Sequence, residues 1–332
     1  MENKIKFAVI GCGHIGKRHA AVIANNEECE LAALCDTIAK ERPDPGDHNI
    51  SFYTSIDELL QSGIPLDVVC IATPNGCHEE QALKVLKAGY HVVIEKPMAL
   101  TKEGCERIMY ESMRQQKQVF CVMQNRYSPP AVWLKEVLHK KILGEIYIVQ
   151  VNCYWNRDER YYTGNTWHGS KESDGGTLFT QFSHFIDMLF WLFGDIKNIS
   201  GKLNNFNHAG LTDFEDSGFI HFDFVHGGAG CLNYSTAVWN ENLESTMTII
   251  AQNGTIKTGG QYMKEVQYCN VKDYTMPELA PADAGSNHHF IIENVVDILK
   301  ERVPAATNAG DGMKVVEIIE RIYKVGRVGN GE

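Results

Sequence analysis

The most constraining stretch of this 332-residue chain is its beginning, from Lys4 to Asp36. Lys4–Ile10 (KIKFAVI) is apolar and rich in β-branched residues, which predicts a short buried strand. It runs into Gly11-Cys12-Gly13-His14-Ile15-Gly16, a G-x-G-x-x-G loop, and then into a helical segment ending near Ala24. A second apolar strand, Glu30–Leu34, leads to Asp36. Gly11 suits the tight turn, Gly13 admits a pyrophosphate against the backbone, and Gly16 lets helix and strand pack closely. The helix start offers unpaired N–H groups and a positive dipole end to phosphates. Asp36 stands 20 residues past Gly16, where a carboxylate accepts both hydroxyls of an adenine ribose. Glycines alone would read as an ordinary turn. Strand, glycines, helix, strand and acid in that order point to a dinucleotide site. The carboxylate repels a 2′-phosphate, which favours NAD over NADP. Lys40 and Arg42 are the nearby cations that would serve NADP instead.

Beyond Asp36, the segment Ala39–Asn49 carries Pro43, Pro45 and Gly46, too broken for a long helix. Ser51–Tyr53 reads as a short strand, and Ser55 as the cap of a helix to about Gln61. Asp67–Ala72 (DVVCIA) is a continuous apolar run, as expected of a parallel strand covered on both faces. Thr73-Pro74-Asn75 ends it, and a helix follows from about Cys77 to Gly89. Tyr90–Glu95 is the next strand, Thr101 caps a helix to about Gln116, and Val119–Met123 is a further strand. Alternating strands and helices predict a doubly wound parallel sheet, a Rossmann domain, over residues 1–123.

The period then changes. After a helix at about Pro130–Lys141, the segments Glu145–Trp155, Asp216–Val225, Gly230–Val238 and Ser245–Ala251 alternate with period two. Gly227-Gly228 and Asn253-Gly254 mark hairpin turns. A second α/β domain with an open, mostly antiparallel sheet is expected over 124–332. One long helix, Thr177–Phe193, should pack on a face of that sheet, and helices at about Ser286–Lys300 and Asp311–Val325 end the chain.

A formal net charge of −11 disfavours nucleic acid and anionic membranes as partners. No apolar run approaches membrane-spanning length, and the chain enters its first strand without the pattern of a secretory signal. Ten cysteines without C-x-x-C or metal-type spacing suggest reduced thiols and a cytoplasmic location. No metal site is expected. His14, His19, His78, His221, His226, His288 and His289 have no ligand spacing and read as structural.

Three groups fall at the carboxyl ends of the parallel strands, where open α/β sheets bind ligands: the glycine loop, Thr73-Pro74-Asn75 and Glu95-Lys96-Pro97. A partly desolvated Lys96 gives up its proton more readily, and Lys96-Pro97 is a candidate cis peptide. In Thr177–Phe193 the residues Thr177, Thr180, Gln181, His184 and Asp187 make a polar stripe on an otherwise apolar helix. Buried polar groups need partners or a polar ligand. His184 is the member that titrates near neutral pH, as a general base must; the plainer reading is a core histidine satisfied by Asp187. Upstream, Trp155–Tyr162 and Trp167-His168-Gly169 interleave aromatics with Arg157 and Arg160, which suits a sugar ring and an anionic group, or a solvated loop.

With these residues in view, the chain resembles the glucose–fructose oxidoreductase/inositol dehydrogenase/MocA family over essentially its whole length. GCGHIG (Gly11–Gly16), ATPNGCH (Ala72–His78), EKPMALT (Glu95–Thr101) and the His184/Asp187 pair carry the resemblance. It implies NAD(P)-dependent oxidation or reduction of a sugar or cyclitol carbon, with Lys96 and His184 as the catalytic pair and no metal. It also implies cofactor contacts from Gly11, Cys12, Gly13, His14, Ile15, Gly16, Asp36, Thr73, Pro74, Asn75, His78, Glu95, Lys96 and Gln124. Many members carry an aspartate four residues before the histidine; this chain has Thr180. QNRYSPP, WNRDERYY and DGGTLFTQFSHFID resemble nucleotide-sugar 3-dehydrogenases acting on UDP-N-acetylglucosaminuronate. That likeness makes Gln124, Asn125, Arg126, Arg157, Arg160 and Tyr162 substrate-side candidates, and the polar stripe adds Thr180 and Gln181. A homodimer or homotetramer through the C-terminal sheet is expected from the family. The rival readings are a free-sugar or inositol dehydrogenase, an NAD-dependent glycosidase, and an NAD-sensing regulator without chemistry.

Overall fold

The computed structural model describes residues 4–38, 50–164, 167–261, 263–280, 287–303 and 308–328. Lys40, Arg42 and the broken segment around Pro43 lie outside the described residues. The chain gathers into two compact units, Met1–Gln124 with Ser286–Val316, and Asn125–Gly285 with Glu317–Glu332.

In the first unit, β1 (Ile5–Ile10), β2 (Cys29–Cys35), β3 (Ser51–Tyr53), β4 (Val68–Ile71), β5 (His91–Ile94) and β6 (Val119–Cys121) form a six-stranded sheet in the order β3-β2-β1-β4-β5-β6. Every pairing is parallel. This is a Rossmann order, with its reversal between β1 and β4. All four β4 residues are buried, as two-sided coverage requires. Helices α1 (His14–Ala24), α2 (Ile56–Gln61), α3 (His78–Lys87) and α4 (Lys102–Gln115) connect the strands. Ser55 caps α2 by accepting the Asp57 N–H, and Thr101 caps α4 by accepting that of Gly104. Helix α9 (His288–Leu299), expected within the second domain, packs against α1 in this unit. Lys300 and Arg302 just beyond it both reach Glu28.

The second unit starts with α5 (Pro129–His139) and holds a seven-stranded sheet. Its strands are β7 (Ile146–Tyr154), β8 (Ile196–Asn204), β9 (Ser217–Phe224), β10 (Ala229–Ser235), β11 (Glu244–Ala251), β12 (Gly254–Gly259) and β13 (Glu265–Val271). The order is β13-β12-β11-β7-β10-β9-β8. Only β7 with β10 is parallel; the other pairings are antiparallel. Hairpins turn at Gly227-Gly228 and at Asn253.

The single helix expected over Thr177–Phe193 is two: α7 (Thr177–Thr180) and α8 (Ser183–Phe193). Gln181 and Phe182 lie between them, and the Phe182 N–H reaches back five residues to the Thr177 carbonyl, a locally widened turn. Side-chain bonds accompany the break: the Thr180 hydroxyl donates to Asp174, and Gln181 joins Arg157 and Tyr161. Helix α8 covers the sheet through Phe185 against Trp155 and Phe193 against Phe224, with Phe182 against Tyr234. The last helix, α10, runs Ala309–Val328. Between β7 and α7 lies the short α6 (Glu159–Tyr162), one turn of helix within the aromatic stretch that carries Arg160.

Candidate functional site

At the N-terminus of α1 the glycines occupy the positions their tasks demand. Gly11 has φ +87°. A Cβ on Gly16 would stand 1.6 Å from the Gly11 carbonyl oxygen, so only glycine allows this helix to approach the turn. Gly13 is exposed, and a Cβ there would meet nothing within 4 Å. That gap is the cradle a phosphate needs against bare backbone. No acidic side chain occupies the first turn of α1 to compete with a phosphate. His14 is exposed, its ring meeting Arg18.

Asp36 closes the other side of the loop. Its Oδ2 accepts the Cys12 N–H at 2.6 Å and its Oδ1 the Ile38 N–H at 2.8 Å. Both oxygens keep lone pairs in a fixed plane, as an acceptor for vicinal ribose hydroxyls requires. These residues fit a dinucleotide.

Further along the same sheet edge, Thr73 donates its hydroxyl to Gln81 at 2.7 Å, and Asn75 is buried in a short 3-10 turn. His78 is buried with Nδ1 2.7 Å from the Pro97 carbonyl oxygen and Nε2 2.9 Å from that of Thr73. Burial pulls its imidazole below the usual range, while the two carbonyls work against that pull. Its ring thus clasps two strand-end turns. Lys96-Pro97 is a cis peptide. Lys96 is half-buried, and its N–H donates to Glu95 Oε2 at 3.3 Å. The Gln124 carbonyl accepts from the Asn287 side chain.

In the second unit several candidates meet. Arg157 donates Nε–H to Gln181 Oε1 at 2.7 Å, and its guanidinium lies over Trp155 and Tyr161 at 4.9 and 5.1 Å. Gln181 in turn donates to the Tyr161 hydroxyl at 2.7 Å, and that ring stacks on His168 at 4.1 Å. Burial pushes the Tyr161 phenol up, so it stays a neutral hydroxyl. Tyr162 is buried beside Tyr161 and His208. Arg160 turns elsewhere: it is exposed and held by Asp158 at 2.5 Å and by the Asn240 carbonyl.

Arg126 is 5% exposed and forms a bidentate pair with Asp187, which is fully buried. His184 is buried on α8, one turn before Asp187, and Asn125 is buried too. Thr180, at the place where many family members carry an aspartate, donates to a carboxylate instead: that of Asp174, buried and also accepting the Gly169 N–H at 2.9 Å. The role of Asp174 is not evident from spacing, since its Asp-Gly-Gly context before a helix signals only a turn.

A glycine-lined helix start, an acid just past the second strand and a six-stranded parallel sheet define a Rossmann-type dinucleotide-binding protein. Comparison with known proteins makes that assignment particular. Residues 5–123 match the model of an oxidoreductase family with an NAD-binding Rossmann fold, and residues 132–257 match the GFO/IDH/MocA C-terminal domain. The chain belongs to the GFO/IDH/MocA family, and its first unit contains an NAD-binding domain.

Two solved structures are similar over nearly the whole length. The WlbA dehydrogenase from Bordetella pertussis, in complex with NADH and UDP-GlcNAcA, is 29% identical with a TM-score of 0.89, covering 98% of each chain. The WlbA dehydrogenase from Chromobacterium violaceum, also with NADH and UDP-GlcNAcA, is 27% identical with a TM-score of 0.90, covering 99% of this chain and 95% of that one. An uncharacterized oxidoreductase of Synechocystis sp. is 27% identical over 60% of this chain, and the match spans 54% of that relative's own length. Among the described residues, no helix is long and apolar enough to cross a membrane.

Proposed function

We propose that the chain is an NAD-dependent dehydrogenase that oxidises a ring hydroxyl of a sugar, at C3 of a nucleotide-linked amino sugar or uronate. The observation that carries this reading is the full-length likeness to two dehydrogenase structures that hold NADH and UDP-GlcNAcA. It is joined by a glycine cradle and an Asp36 carboxylate that fit a dinucleotide. The Gly11–Gly16 loop would hold the pyrophosphate and Asp36 the adenine ribose, with Thr73, Pro74, Asn75 and Gln124 lining the rest. A bound nicotinamide ring supplies the hydride acceptor.

The residues of the chain then have separable tasks. His184, buried and titratable, takes the proton of the sugar hydroxyl as general base. Lys96 hydrogen-bonds that oxygen, orients it and stabilises charge as the proton leaves. Arg157, held by Gln181 and two aromatic faces, presents a preorganised cation to an anionic part of the substrate. Asp174 supports Thr180 as a further polar contact. The exposed apolar side chains Ile148, Phe219 and Ile250 on the second sheet support assembly into a homo-oligomer. Ten free thiols suit the cytoplasm.

The test is anaerobic incubation of the protein with NAD and a panel of UDP-sugars and free sugars, followed by absorbance of reduced cofactor. Formation with UDP-N-acetylglucosaminuronate, lost in Lys96→Ala and in His184→Ala, is expected. Full activity in both variants would reject the roles of Lys96 and His184, and turnover of free sugars alone would reject the substrate class.

A further inference from the structure

Beside Lys96 lies a buried cluster that the proposed chemistry leaves unused. Glu95 points its carboxylate into the first unit and is 7% exposed. Two imidazoles meet it there. His19 from α1 places Nε2 2.7 Å from Oε1, and His288 from the start of α9 places Nε2 3.4 Å from the same oxygen. Both histidines are 1% exposed, and their rings cross edge to face at 5.2 Å. The other carboxylate oxygen accepts the Lys96 N–H. One carboxylate thus joins α1 to the peptide that carries Lys96, while the His288 ring of α9 approaches the same oxygen without a hydrogen bond and packs edge-on against His19.

These three side chains are close enough to hold a metal ion, so the distances must decide between a metal and a proton. Ligands of a tetrahedral zinc, each about 2.0–2.1 Å from the ion, stand roughly 3.3 Å apart. The His19–Glu95 separation of 2.7 Å is that of a charge-assisted hydrogen bond. A carboxylate taken out of water also needs a hydrogen-bond donor, and the His19 ring is placed to supply one.

We propose that His19 and His288 are positioning residues, which keep Glu95 ionised and through it fix the backbone that aims the Lys96 side chain. The proposal rests on Lys96 meeting the substrate hydroxyl. Burial by itself raises the Glu95 carboxyl, and the two imidazoles outweigh it and hold it well below the usual carboxylate range. Burial lowers His288, Glu95 opposes that, and His19 and Arg18 add to it. His78 and Cys70 also feel Glu95, and Lys96 adjoins it in the chain. Losing either imidazole therefore lets Glu95 take up a proton at higher pH, which weakens it as acceptor for the Lys96 N–H.

His19→Gln and His288→Gln replace each imidazole with an amide that does not titrate and is a weaker donor to the carboxylate. In each, the further acid limb of kcat that lies below the limb of the general base is expected to move up by about one pH unit, making the variant about tenfold slower there, while KM for the sugar stays within about threefold. If His288→Gln does not fold, His19→Gln, whose amide can still reach Oε1, carries the test. An acid limb that stays in place with an active wild type overturns the proposal. So does one equivalent of zinc found in the wild type and missing from the variants. A wild type that binds NADH yet turns over no sugar defeats the dehydrogenase reading instead. The proposal is then read from the pH dependence of NADH binding by fluorescence: an acid limb displaced upward in the variants supports it, and coincident curves reject it.

Discussion

His78 Nδ1 lies 2.7 Å from the Pro97 carbonyl oxygen, and the other nitrogen of the ring reaches the Thr73 carbonyl. One buried imidazole therefore stands between the turn after β4 and the turn after β5, its neutral ring donating to one of the two carbonyls, and these turns flank the end of the sheet where the cofactor is proposed to lie. His78→Leu fills the space but leaves one of the two buried carbonyls without the N–H of the neutral ring, at a cost of about 1–3 kcal/mol. Weaker NADH binding is expected along with a lower urea midpoint. The pH dependence has a definite sign. Burial holds the folded imidazole below its ordinary 6.5, so on acidification the unfolded chain takes up a proton that the folded ring refuses. His78 therefore lowers stability as pH falls below about 6.5, and the Leu variant should lose less stability than wild type between pH 7 and 5. Parallel loss in the two proteins would show that this ring does not titrate differently on folding.

Gly13 and Gly16 separate binding from folding. A Cβ at 16 would overlap the Gly11 carbonyl, whereas one at 13 enters open space. Gly16→Ala must push α1 off β1 and is expected to cost at least about 3 kcal/mol, in the range of severe overpacking. Gly13→Ala should change stability by no more than about 1 kcal/mol while weakening NADH binding, because the added methyl stands where the phosphate is proposed to sit. Thermal melts alongside NADH titrations distinguish the two. A Gly13→Ala protein with unchanged affinity would rule out the cradle.

Much of the fold is legible in the sequence because the first domain writes its pattern locally. Strands such as Val68–Ile71 are apolar throughout, and Ser55 and Thr101 announce their helices. The second sheet is harder to read. The edge strands β8 and β13 carry Lys197, Asn198, Lys202, Glu265 and Gln267 facing water, a composition that protects edges and erases the period-two signal. The break between α7 and α8 is hidden because the run from Phe182 to Phe193 is dominated by residues that favour burial, and only Thr180 and Gln181, through Asp174 and Arg157, bend the chain. Clusters built from distant segments leave no trace in spacing: His19, Glu95 and His288 look unrelated until α9 returns to the first unit.

The pairing of Arg126 with Asp187 is one such long-range contact, and it anchors the start of the second unit to α8, one turn from His184. Both groups are nearly or fully inaccessible. Arg126→Met alone removes the guanidinium from a buried carboxylate, and Asp187→Leu alone removes the carboxylate from a buried guanidinium. Each is expected to cost about 3–5 kcal/mol, with the double variant recovering a large part of that loss. A double-mutant cycle in urea measures the coupling. Additive losses would mean that the pair contributes no mutual stabilisation.

Glu215 offers the clearest pH signature in the second unit. Its Oε1 accepts from the hydroxyls of Tyr234 at 2.9 Å and Tyr323 at 2.8 Å, and Tyr323 also accepts the Leu178 N–H at the start of α7. The knot therefore fixes the segment that leads to His184. Burial pushes the carboxyl up to about 7, and the two phenols only partly oppose it. Because the folded value exceeds the ordinary 4.5, the group's contribution is fully present below pH 4.5. It fades as the pH rises through 7, since the unfolded chain sheds its proton first. At about 1.36 kcal/mol per unit, the change is on the order of 3 kcal/mol. Glu215→Gln keeps an acceptor for both phenols and cannot ionise. Its stability should match wild type near pH 5 and exceed it at pH 8, by urea unfolding at each pH. Curves that run parallel from pH 5 to 8 would show that Glu215 is ionised in the folded protein throughout, and that the two tyrosines hold a carboxylate rather than an acid.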